Sequence, residues 1–133
     1  VKGGELTKAQ ISQGADVVFA AAGGTGIGVL QTAADEGILS IGVDMNQNHS
    51  QPGSVLTTML KRVDNAVYDA FKGNGDWAGT NQGVVGYSMD EHNASLVTAD
   101  MQAKVNAAEA SIKSGTLSVH DYMSDETCPV LSF

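Results

Sequence analysis

Apolar and polar positions along the chain change their period several times, and each change predicts an element. Residues 5–13 carry Ala9 and Ile11 as weak apolar marks at helical spacing, and Gly14 stops that helix. Residues 15–22 then form an apolar run, Ala-Asp-Val-Val-Phe-Ala-Ala-Ala, whose length and β-branched content predict a strand covered on both faces. Gly23-Gly24-Thr25-Gly26 is the turn out of it. A helix follows over residues 27–36, with Val29, Leu30, Ala33 and Ala34 on its inward side, and Gly37 ends it. Residues 38–43 are the next buried strand, and Asp44 stands at its carboxyl end. A strand–helix–strand unit of this kind builds a parallel sheet through a right-handed crossover.

Residues 45–53 form a polar loop containing Asn46, Gln47, Asn48, His49 and Gln51 and closing on Pro52-Gly53. A third strand is expected over 54–60 and a helix over 61–72, where Val63, Val67 and Phe71 recur at helical spacing. Gly73-Asn74-Gly75-Asp76 signals a loop, and residues 82–88 a strand whose glycines point to a sheet edge. Thr98 is placed to cap the last helix, in which Met101, Val105, Ala108 and Ile112 form one apolar stripe expected in the core. Gly115 ends that helix, and residues 116–133 carry no clear period.

Composition narrows the class. The chain has 133 residues, 42% of them hydrophobic, which suffices for one domain with a real core but not for two full lobes. A net charge of -8 disfavours nucleic acid and anionic membranes as partners. The one cysteine, Cys128, cannot form an internal disulfide, and no Cys/His cluster offers a metal site. No apolar run approaches the ~20 residues that cross a bilayer. The opening Val1-Lys2-Gly3-Gly4 has no signal-peptide pattern, and the expectation is a piece of a longer chain whose leader lies elsewhere.

The glycine loop and Asp44 carry the candidate chemistry. Glycines between a strand and a helix let backbone approach a ligand, and the helix N-terminus offers free N–H groups. Asp44 follows about twenty residues on, where a dinucleotide fold places its ribose-binding acid. The spacing departs from that motif, because Val29 stands where the third glycine of G-x-G-x-x-G belongs. A tight turn with close helix packing explains the glycines equally well. Asp44 can also close a turn with Asn46, and Lys61 can be a solvated lysine in a first helical turn. Asp64 suits a helix N-terminus electrostatically. His49 is expected to face solvent, and Trp77 and Tyr87 to serve packing or a hinge. No catalytic constellation appears, so the chain is expected not to be an enzyme, with neither cofactor nor metal.

Three ordered segments go further. Residues 15–26 (ADVVFAAAGGTG), 41–47 (IGVDMNQ) and 55–64 (VLTTMLKRVD) closely resemble the basic membrane protein family, substrate-binding lipoproteins of bacterial ABC importers that include purine-nucleoside receptors. Residues 83–115 resemble it more loosely. The resemblance implies an α/β, parallel-sheet, three-layer lobe of a type I periplasmic-binding-protein fold, incomplete because the first lobe is not in this sequence. It divides the chain into a second-lobe core at 1–60, a segment at 61–96 that normally packs with the first lobe, and a closing helix and tail at 97–133. It implies that Asp44 accepts ribose hydroxyls, that Lys61 reaches the same sugar, and that Gly23 and Gly24 approach the ligand with backbone. The implied partners are a purine nucleoside and a membrane permease, and the implied location is periplasmic or membrane-anchored and extracytoplasmic. A missing lobe further implies self-association or domain swapping. The competing expectations are a nucleotide-cofactor-dependent enzyme with a Rossmann-like unit, and a sensor lobe without a transport role.

Overall fold

The computed structural model describes residues 2–73, 85–120 and 123, and the chain divides into two compact units, 1–98 and 99–133. In the first unit the order is α1 (Lys2–Ser12), β1 (Val17–Phe19), α2 (Thr25–Asp35), β2 (Leu39–Asp44), a 3-10 turn (Asn48–Ser50), β3 (Val55–Lys61), α3 (Val63–Phe71) and β4 (Val85–Tyr87). The strands form one sheet in the order β1-β2-β3-β4. β1, β2 and β3 run parallel, and β4 closes the edge antiparallel to β3. The predicted edge position of the 82–88 segment therefore stands for its described part, while residues 82–84 lie outside the described residues.

Helix α2 forms where the sequence places it, because its apolar positions meet the sheet. Val29, Leu30 and Ala33 are buried, and Val29 and Ala33 pack with Val18 of β1. Burying an aliphatic chain of this size contributes roughly 1.5–3 kcal/mol, so this contact outweighs the weak amphipathicity of α1. Helix α1 lies on α2 rather than on the sheet, and two bare glycines permit the approach. A Cβ on Gly3 would stand 2.5 Å from the Thr25 carbonyl oxygen, and one on Gly4 2.6 Å from the Thr32 hydroxyl. Gly14 and Gly37 end their helices with φ of 96° and 73°, a region that glycine enters without steric cost.

Several expectations are corrected. β1 is three residues long instead of eight and is covered on one face only, with Val18 buried and Val17 and Phe19 exposed. An apolar run signals burial, but only the packing partner decides how many faces are covered. Val63, Val67 and Phe71 share a face of α3, yet no residue of that helix is buried. In the second unit, α4 (Ala99–Lys113) starts directly after Thr98, and Gly115 follows it with φ of 74°. Its stripe was expected in the core, yet Met101, Val105 and Ile112 are all more than two-fifths exposed. Helical spacing fixes which residues share a face and leaves open whether anything covers it. Trp77 and Cys128 lie outside the described residues.

Candidate functional site

Three parallel strands place their carboxyl ends along one edge, which is where open α/β sheets bind ligands. Asp44 is the last residue of β2 and pairs in register with Leu60, so the neighbouring Lys61 at the end of β3 lies beside it. Lys61 Nζ stands 3.7 Å from Asp44 Oδ1, and both side chains are about half exposed, at 62% and 52%. The two charges thus balance one another while still able to reach a solute. Asp44 is also the one non-glycine residue with positive φ, 71°, among the described residues. An L-residue pays about 1 kcal/mol for that conformation, and Asp tolerates it better than most. Such strain persists only where surrounding structure enforces it.

Gly23 and Gly24 lie on the same edge, in the turn between β1 and α2. Gly23 has φ of 52°, and no atom lies within 4 Å of where a Cβ would stand on either residue. Their turn is closed by the Thr25 N–H donating to the Ala22 carbonyl and the Gly26 N–H to the Gly23 carbonyl. The structure thus brings Asp44 and Lys61 together and sets the two glycines on their edge of the sheet. His49 is exposed, as expected.

What enforces Asp44 is a polar assembly behind it. Asn46, Gln47 and Asn48 lie in the expected polar loop, but Asn48 is fully buried, as are Thr58 and Asn93, and Ser88 is nearly so. Asn48 Oδ1 accepts hydrogen bonds from the Thr58 hydroxyl at 2.9 Å and the Ser88 hydroxyl at 3.0 Å. Asn48 Nδ2 donates to Asp90 at 3.1 Å, and Asn46 Nδ2 donates to the same oxygen at 2.7 Å. The Ser88 hydroxyl in turn accepts from the Thr58 N–H, and Asn93 Nδ2 donates to the carbonyls of Leu56 and Ser88. A buried network with its members satisfied is rigid, because each lost bond would strand a polar group away from water. It joins the Asp44 loop, the middle of β3 and the chain after β4 into one body.

Gln47 closes the turn itself. Its side-chain carbonyl accepts the Val43 N–H at 2.9 Å, and its own N–H donates to the Thr58 hydroxyl at 3.1 Å. Gly42 makes room for this, since a Cβ there would stand 2.7 Å from Gln47 Oε1 and 2.9 Å from Thr58 Oγ1.

The Asn46 amide, above all, holds the Asp90 carboxyl below its ordinary pKa, assisted by the His92 N–H and Asn48 and opposed by partial desolvation. Asp90, Glu91 and His92 bring potential metal-ligand atoms within 4.8 Å of one another. Both Asp90 oxygens are already engaged by Asn46, Asn48 and the His92 N–H, so the cluster closes a loop. A depressed folded-state pKa stabilises the fold above the unfolded value, near pH 4, and this contribution vanishes as pH falls through the folded value. The advantage of the wild type over Asp90→Asn in melting temperature should therefore be constant from about pH 7 to 5 and shrink below about pH 4. A pH-independent difference in thermal denaturation would remove the charge from this account. On the surface, Arg62 donates two hydrogen bonds to Asp64, at 3.2 and 3.0 Å, which adds a local ion pair to the electrostatic role expected of Asp64.

A mostly parallel sheet with a helix-covered face defines an α/β lobe, and the acid–lysine pair stands at its strand ends. Residues 1–122 match the family model described as ABC transporter substrate-binding protein, PnrA-like. The chain belongs to that family. Basic membrane protein B of Borrelia garinii subsp. bavariensis is 32% identical over 99 residues, 65% of this chain and 29% of the relative. An ABC-transporter solute-binding protein from Aeropyrum pernix K1 is 26% identical, with a TM-score of 0.52 over 78% of this chain and 31% of that one. A transcriptional activator of the comK gene from Bacillus halodurans shares the fold, with a TM-score of 0.65, 19% identity, and coverage of 95% of this chain and 43% of that one. The chain thus spans less than half the length of each of these proteins. Among the described residues, no helix is long and apolar enough to cross a membrane.

Proposed function

We propose that this chain forms one wall of an interlobe cleft that binds a purine nucleoside, within the substrate-binding component of a bacterial ABC importer. The whole protein would then deliver its ligand to a membrane permease from the extracytoplasmic side and catalyse nothing. The observation that carries the reading is the half-exposed Asp44–Lys61 pair, 3.7 Å apart, at the carboxyl edge of the parallel strands. A carboxylate accepts two neighbouring hydroxyls side by side, which matches a ribose diol, and charge strengthens both bonds. The Lys61 ammonium donates to a hydroxyl and offsets the Asp44 charge as a cleft closes around it. Gly23 and Gly24, which lack side chains, leave the same edge open to a ligand. The residues at 61–96 are assigned to the lobe crossing, and the apolar face of α3 to a cover from the first lobe or from a second copy of the chain.

Calorimetry on the full-length protein with guanosine, inosine and adenosine tests this reading. Asp44→Ala should weaken the best of them by at least ~1.5 kcal/mol, more than tenfold in Kd. Unchanged affinity would exclude Asp44 from the site. Thermal protection by NAD, with none by nucleosides, would favour the nucleotide-dependent enzyme instead.

A further inference from the structure

We propose that Gln47 is a positioning residue for the Asp44 carboxylate, holding residue 44 in its left-handed conformation from both sides of the turn. The inference rests on the reading of Asp44 as the sugar acceptor. Four features of one turn carry it. Gln47 Oε1 accepts the Val43 N–H at 2.9 Å, immediately before Asp44. The Gln47 N–H, three residues after Asp44, donates to Thr58 Oγ1 at 3.1 Å. Thr58 cannot yield, because its side chain is fully buried and tied to Asn48 at 2.9 Å. Between these fixed points the backbone of Asp44 takes φ of 71°, and the carboxylate emerges beside Lys61 at 3.7 Å. Without the Gln47 carbonyl, the Val43 N–H loses the acceptor that closes the turn. Residue 44 then relaxes toward the negative φ that an L-residue prefers, and its side chain swings away from the register that puts it next to Lys61. The Gln47 side-chain carbonyl is engaged by the Val43 N–H, so its role runs through Asp44.

Two variants separate this role from general destabilisation. Gln47→Met keeps the length of the side chain and removes the acceptor, whereas Gln47→Glu keeps an acceptor oxygen. NMR on the ligand-free chain reads the sign of the Asp44 φ from its intraresidue amide–Hα contact, and the exchange rate of the Val43 amide. The wild type should show a positive φ and a protected amide. Gln47→Met should lose both, and Gln47→Glu should restore both. In the full-length protein, guanosine affinity should fall roughly fivefold or more in Gln47→Met and recover in Gln47→Glu. A positive φ and a protected Val43 amide in Gln47→Met would overturn the proposal. If that variant does not fold, an unprotected Val43 amide in the wild type, or its loss in Gln47→Glu, overturns it equally. If the wild type binds none of guanosine, inosine and adenosine, the nucleoside reading fails, while the NMR result still decides the role of Gln47.

Discussion

Asn48→Ala is expected to lower the unfolding free energy by about 3 kcal/mol, the largest loss from any single truncation in the polar loop. The substitution removes one acceptor and one donor from a fully buried position. The Thr58 and Ser88 hydroxyls lose the oxygen they share, and Asp90 loses one of its two side-chain amide donors. Each buried polar group left short of a partner costs roughly 1–3 kcal/mol, and the small cavity adds to it. Urea denaturation should show a lower midpoint with an unchanged slope, since the surface exposed on unfolding hardly differs. His49→Ala is the control, because His49 is the exposed neighbour in the same loop and should change stability by less than about 0.5 kcal/mol. A loss below about 1 kcal/mol for Asn48→Ala would mean that the network is not a unit.

Gly42→Ala should cost about 2–3 kcal/mol, although alanine is by itself the better residue inside a strand. Its Cβ would stand 2.7 Å from Gln47 Oε1, 3.0 Å from Gln47 Cβ and 2.9 Å from Thr58 Oγ1. A free side-chain end would move aside cheaply. Here the Gln47 carbonyl is bonded to the Val43 N–H and the Thr58 hydroxyl to Asn48, so any movement breaks a bond. The usual gain from replacing a strand glycine, roughly 0.5–1 kcal/mol, does not offset that. The same cost measured in a Gln47→Ala background should be smaller, because the closest obstruction, Gln47 Oε1 at 2.7 Å, is gone while Thr58 Oγ1 remains. Equal costs in the two backgrounds would show that Gly42 and Gln47 are not in contact in solution.

Both substitutions fall behind Asp44 rather than on it. The pair that faces the edge is half exposed and held by a single 3.7 Å approach, so changing it should alter affinity far more than stability. Residues that set the geometry are buried, and changing them should alter both. This division also explains why a surface acid can keep a positive φ: the strain of about 1 kcal/mol is small against a network whose loss costs several.

The sequence by itself determined the order of elements, the parallel strand–helix–strand unit and the position of Asp44 at a strand end. These follow from local facts: β-branched apolar runs, helical spacing in α2, and glycines that must end helices with positive φ. The ordered motifs also determined the family, and they set Asp44 and Lys61 as partners before any distance was known. Burial was another matter. The stripes on α3 and α4 are helical in spacing, as is the stripe on α2, yet of the three only that on α2 is buried among the described residues. The part played by the Asn46–Asn48 segment was not legible either. Polar residues in a loop ordinarily mean solvent, and nothing local links them to Ser88, Asp90 and Asn93, about forty positions away. Only when β4 pairs antiparallel with β3 does that distant segment arrive behind the loop. A hydrogen bond depends on position in space, so pairing across the sheet, and not periodicity along the chain, decided what holds Asp44 in place.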